Sequence, residues 1–172
     1  MKRPHIYIHI HYIYTNLHMN LQNKILELLG DKKSIFLIGP TDSGKSWFGE
    51  KNLLPFLCSN GLTGTYITVC EITPDFRSKD DFIIIDEVES LQDRKFLEDL
   101  YSEEKPYYNL EYLANIQKWN DQLKKISIPS VYVITRNEKL EIDNFIKNIS
   151  TTDWDGRKVE CVEFKKNDRI IK

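Results

Sequence analysis

An apolar run, Ser34-Ile35-Phe36-Leu37-Ile38, leads directly into Gly39-Pro40-Thr41-Asp42-Ser43-Gly44-Lys45-Ser46. No other feature restricts the possible folds of this chain as much as that junction. Gly39 lets the chain leave the strand, and Gly44 permits torsions and a close approach that a side chain would forbid. Successive N–H groups then point inward around an anion, backed by the positive end of the helix that follows. The loop therefore needs a buried strand before it and a helix after it, and residues 45–58 supply a helical pattern that Pro55 is expected to kink or end. In such a loop Lys45 reaches the outer phosphates of a nucleotide and the Ser46 hydroxyl ligates Mg²⁺. The candidate nucleotide contacts are Gly39, Pro40, Thr41, Asp42, Ser43, Gly44, Lys45, Ser46 and Trp47. Asp42 is out of character in a loop built for anions, and its carboxylate is expected to face solvent.

The rest of the chain alternates between strand-like and helix-like patterns. Leu21, Ile25, Leu28 and Leu29 have a helical period that stops at Gly30, where a C-cap would sit. Thr65 to Thr73 is rich in β-branched residues and reads as a strand. Residues 82–86 (FIIID), Val131 to Thr135 and Val159 to Phe164 read as further strands, the first two of the kind buried on both faces. Helices are expected over 91–125, divided at Pro106, and over 139–149. The alternation predicts a three-layer α/β/α sandwich around a mainly parallel five-stranded sheet.

Two further strand ends carry chemistry. Phe82 to Ile85 ends in Asp86-Glu87, at the same sheet edge as the loop, because parallel strands share their C-terminal edge. There Asp86 is placed to hold Mg²⁺ and Glu87 to orient and activate a water. Val131 to Ile134 ends in Thr135-Arg136-Asn137; Thr135 is the first candidate for a hydroxyl near the γ-phosphate or the lytic water, and Asn137 the second.

In this order the three pieces resemble the P-loop NTPases with an additional strand and a catalytic glutamate, and within them the AAA+ ATPases. GPTDSGKS looks like their Walker A motif, FIIIDE like Walker B and ITRN like sensor 1. The resemblance covers roughly residues 30–165. It implies a sheet in the order 5-1-4-3-2 and Mg²⁺-dependent ATP hydrolysis, with Lys45, Glu87 and Thr135 catalytic and Ser46 and Asp86 on the metal. The residues after Thr135 suffice for a helix and one strand, too few for the usual AAA+ lid, so a minimal ATPase core is expected. Arg94, Arg136 and Arg157 are the candidates for a trans-acting arginine.

Two other classes share the loop. It is also similar to that of the polynucleotide 5′-hydroxyl kinase family, with Asp75 and Arg77 as acceptor-side candidates. Kinases of this fold usually add an arginine-rich lid, and residues 91–125 hold one arginine, Arg94. The third class binds nucleotide as a switch without hydrolysis. Tyr101, Tyr107, Tyr108, Tyr112 and Trp119 make 101–119 a candidate surface for a protein partner.

Composition sets the remaining limits. The 172 residues carry a net charge of −2, which points to neither nucleic acid nor an anionic membrane as a partner. Cys58, Cys70 and Cys161 lack the spacing of a disulfide or zinc framework and are expected to be buried thiols in a reducing compartment, and a cytoplasmic protein is the expectation. All four histidines, His5, His9, His11 and His18, lie in residues 1–18. That segment is expected to be an N-terminal extension or edge strand preceding a nucleotide-binding domain over 19–172. On a strand His5, His9 and His11 share a face, and a metal site there is the minor alternative to a plain amphipathic strand.

Overall fold

The computed structural model describes residues 16–69, 79–88, 110–123, 126, 128–135 and 159–164. Strands β1 (Ser34–Gly39), β2 (Gly64–Thr68), β3 (Phe82–Asp86), β4 (Ser130–Thr135) and β5 (Val159–Glu163) form one sheet in the order β2-β3-β4-β1-β5. All neighbouring strands pair in parallel. The chain is therefore α/β, and its strand order is the expected one counted from the other edge.

The central strands β1, β3 and β4 are largely apolar because both faces of the sheet are covered. Odd and even positions separate cleanly. Ile35, Leu37, Ile84, Val131 and Val133 pack on one side against Ile25 and Leu28 of α1 (Asn16–Gly30) and against Phe48, Leu53 and Leu57. Phe36, Ile38, Ile83, Ile85 and Ile134 pack on the other side against Trp119 and Leu123 of α4 (Leu110–Leu123). Trp119 is fully buried, so it belongs to the core and not to a docking surface. Phe36 and Tyr132, neighbours in register on β1 and β4, stack with ring centroids 4.9 Å apart.

Two local expectations are corrected. Helix α1 does end at Gly30, but Gly30 is not the left-handed cap residue. That residue is Lys32 (φ 57), and the N–H groups of Lys32 and Lys33 donate to the carbonyls of Leu29 and Leu28, closing a Schellman turn. Nor does Pro55 end the helix after the glycine loop. Helix α2 (Lys45–Trp47) passes into a π-helical stretch (Phe48–Leu53) and on into α3 (Leu54–Ser59) with right-handed helical torsions at both junctions. Proline removes one i→i−4 donor. The wider winding upstream, in which the Leu54 N–H reaches the Gly49 carbonyl, absorbs the defect without a break.

Candidate functional site

The glycine loop joins the C-terminal end of β1 to α2. Its first glycine is demanded by packing. Gly39 has φ +149, and a Cβ there would lie 2.2 Å from the Phe164 carbonyl oxygen. The Phe164 N–H in turn donates to the Ile38 carbonyl at 2.7 Å, so the strand following β5's last pairing braces the start of the loop. Gly44 is different: a Cβ would meet nothing within 4 Å, but φ +88 is left-handed backbone. Asp42, exposed as expected, is also left-handed at φ 62. Aspartate tolerates that region better than most residues because its side chain is short and polar. Left-handed backbone thus flanks Ser43 on both sides, and the Ser43 N–H donates to the Pro40 carbonyl at 3.3 Å.

Lys45 is only 3% exposed, with its Nζ folded back over the loop. It donates to the Pro40 carbonyl at 2.6 Å and to Ser43 Oγ at 3.1 Å. The ammonium thus donates to two of the loop's own oxygens. Ser46 is exposed, and Trp47 is 56% exposed, the one large hydrophobic side chain among the described residues to stand out in this way.

Asp86 ends β3 and is 4% exposed. A carboxylate buried this deeply needs partners for both oxygens. Oδ1 accepts from the Glu87 N–H at 2.7 Å, and Oδ2 accepts from the Tyr66 hydroxyl. Glu87 is exposed and left-handed, with φ 56. The neighbouring core explains that torsion. Phe82 and Ile84 face one side of the sheet, Ile83 and Ile85 the other, so plain alternation would put Val88 with the even residues. Val88 instead lies fully buried beside Ile83 and Ile85. The left-handed turn at Glu87 reverses the phase, buries Val88 and leaves the glutamate projecting between two buried neighbours.

Tyr66 was not singled out by the sequence. It sits on β2 in register with Ile84, one pair before Thr68 meets Asp86 on the same face. Its phenol is raised above its usual range, first by burial and then by the hydrogen bond to Asp86, and the Glu50 carboxylate adds to the shift. The Ser46 hydroxyl lies within hydrogen-bonding reach of the same phenol and acts in the opposite direction. The ring gets there because the helix passes close over the sheet at Gly49. A Cβ on Gly49 would stand 3.4 Å from Tyr66 Cε2, 3.6 Å from Ile84 and 3.8 Å from Val133. A tyrosine in a β-branched run reads as packing, and only the register between β2 and β3 reveals it as part of the site.

The structure thus brings Ser46, Tyr66 and Asp86 together, with Lys45 on the loop beside them and Glu87 next to Asp86. The backbone of Thr135 pairs with Gly39, which puts the end of β4 next to the root of the loop. Asp75, Arg77, Arg94, Arg136, Asn137 and Arg157 lie outside the described residues, as do His5, His9, His11 and Cys70. Cys58 and Cys161 are free thiols, and Cys58 is exposed where a buried thiol was expected. Among the described residues no three His, Cys, Asp or Glu side chains cluster as a metal site, and no helix is long and apolar enough to cross a membrane. In comparisons with known proteins, no family model and no curated protein matches this chain.

Proposed function

We propose that this chain is a P-loop nucleotide-binding protein of the division with an additional strand and a catalytic glutamate. Within that class its activity is Mg²⁺-dependent hydrolysis of ATP by an AAA+-like core, coupled to a conformational change or a protein partner. The reading rests on one observation above the rest: a buried lysine inside a left-handed glycine loop and a buried aspartate on β3 are linked by Ser46 and Tyr66.

The donor set suits a hard cation. The Ser46 hydroxyl and the Asp86 carboxylate are oxygen ligands, and Mg²⁺ characteristically takes one or two protein oxygens with phosphate and water making up the rest. Ser46 and Asp86 would hold it, and its charge would neutralise the phosphate oxygens. The loop N–H groups and Lys45 bind the phosphates, with Lys45 exchanging the Pro40 and Ser43 oxygens for those of the nucleotide. Glu87, exposed beside Asp86, orients a water and accepts its proton as the water attacks the γ-phosphorus and the bond to the β,γ-bridging oxygen breaks. Thr135 at the end of β4 is the further polar candidate at this edge.

The test is phosphate release from ATP and Mg²⁺ without any acceptor, for wild type, Glu87→Gln and Lys45→Ala. The reading expects turnover in wild type, its loss in Glu87→Gln with ATP binding retained, and about 10- to 100-fold weaker binding in Lys45→Ala. Unchanged turnover in Glu87→Gln removes the glutamate's role. Phosphate transfer that requires a hydroxyl acceptor converts the reading to a kinase.

A further inference from the structure

The Tyr66 hydroxyl makes the two contacts that link Ser46 to Asp86. It donates to Asp86 Oδ2, and the Ser46 hydroxyl is within hydrogen-bonding reach of the Tyr66 hydroxyl itself. With Oδ1 already taken by the Glu87 N–H, both Asp86 oxygens carry a hydrogen bond. The ring is wedged: β2 carries it, Gly49 lies against its edge, and the Ile84 side chain is beside it. A phenol hydroxyl beside a carboxylate oxygen is the donor of the pair, and that is the direction of the Tyr66–Asp86 bond. The phenol therefore touches both of the oxygen groups that would hold a cation.

We propose that Tyr66 is a latch on the cation site, its hydroxyl occupying Asp86 until a divalent cation displaces it. This rests on the reading of Ser46 and Asp86 as cation ligands. The latch has a physical rationale. An unpartnered carboxylate buried at 4% exposure is costly, and the hydrogen bond from the phenol offsets that cost. The same bond lowers affinity for a free cation, because entry must break a hydrogen bond to a charged group. Such a site discriminates against the bare ion and favours a cation arriving with phosphate oxygens and their additional contacts. Tyr66 is thus a positioning residue that acts through Asp86.

The test is Mn²⁺ binding to the nucleotide-free full chain, followed by the paramagnetic signal of the free ion, for wild type, Tyr66→Phe, Asp86→Asn and the double variant. Phenylalanine keeps the ring in its slot and removes only the hydroxyl. The latch expects Tyr66→Phe to bind Mn²⁺ about tenfold or more tightly than wild type, the scale of a hydrogen bond to a charged group. It expects Asp86→Asn to remove both the binding and the gain. A purely structural tyrosine does not produce tighter binding when truncated. Unchanged or weaker binding in Tyr66→Phe, with Asp86→Asn still weakening it, overturns the latch and leaves the cation site standing. Mn²⁺ binding that ignores Asp86→Asn in every background overturns both. The melting temperature with and without Mn²⁺ gives a second measurement: the cation must raise it more in Tyr66→Phe than in wild type, and an equal or smaller rise counts against the latch.

Discussion

Glu87 separates stability from activity in a way that can be measured. Its backbone is left-handed at φ 56, a conformation that costs an L-residue with a Cβ about 1–2 kcal/mol. Glycine relieves that strain but adds about 0.5–1 kcal/mol of unfolded-state entropy. The side chain is exposed, so little packing is lost with it. Glu87→Gly is therefore expected to stabilise the protein by about 0.5–1 kcal/mol, with a melting temperature about 1–4 °C higher for a chain of this size. Glu87→Gln keeps the strained backbone and should stay within about 0.5 kcal/mol of wild type. Both variants lose the group proposed to activate water, and on that proposal they should slow hydrolysis by about 10²- to 10⁴-fold. Urea unfolding followed by far-ultraviolet circular dichroism, run beside phosphate release, measures both quantities on the same samples. A Glu87→Gly protein that unfolds more easily than wild type refutes the strain account. One that keeps full turnover refutes the chemical account, and the two failures are independent.

Gly39→Ala places a methyl group 2.2 Å from the Phe164 carbonyl and should cost about 2–4 kcal/mol in urea unfolding, whereas Gly44→Ala meets open space and should cost only about 1–2 kcal/mol from its left-handed torsion. Asp81 is held below the usual carboxylate range by the Thr63 N–H at 2.8 Å and by the Thr63 hydroxyl. Its contribution is fully present above the unfolded value near ~4 and disappears as the pH falls through the lower folded value, so Asp81→Asn should flatten the acid limb of stability against pH below about 4. Asp42→Asn keeps a residue tolerant of left-handed backbone while removing a negative charge from the loop; nucleotide should bind equally well or up to about threefold more tightly by titration calorimetry, and a tenfold loss would assign the carboxylate a direct contact.

What could be read from the sequence was what depends on residue type and short spacing. Strands β1, β3 and β4 are recognisable because burial on both faces leaves no polar position to interrupt them. The glycine loop and Asp86-Glu87 are legible because their chemistry is written in adjacent residues. Features that depend on register were not legible. Tyr66 joins the site only because β2 and β3 pair Tyr66 with Ile84, which places the phenol one step from Asp86. The phase reversal at Glu87 requires knowing that Val88 packs with Ile83 and Ile85. Lys32 as the left-handed cap defeats the rule that glycine takes that place, since the Schellman bonds close at Lys32 and Lys33, two and three residues beyond Gly30. The π-helical passage before Pro55 escaped for a similar reason, because proline's usual effect was relieved by a change of winding upstream of it.

The site residues differ in what holds them, and that difference bears on how the edge works. Gly39 is fixed by the backbone of Phe164, and Asp86 by two hydrogen bonds within a core strand and its neighbour, so the root of the loop and the buried carboxylate move only with the sheet. Lys45, by contrast, donates to one loop carbonyl and one loop hydroxyl, oxygens that phosphate would replace in the proposed complex. Asp42 and Glu87 project into solvent from left-handed turns on the loop and after β3. Strain at non-glycine residues persists only where surrounding packing enforces it. For Glu87 the enforcing contact is Val88, which cannot leave its pocket without exposing a fully buried side chain. A buried valine thus fixes the backbone direction in which Glu87 leaves the sheet, and the water activation proposed for it would use that placement. In the proposed reaction the groups that change oxygen partners are then the Lys45 ammonium, which leaves the Pro40 carbonyl and the Ser43 hydroxyl, and the Tyr66 hydroxyl, which leaves Asp86.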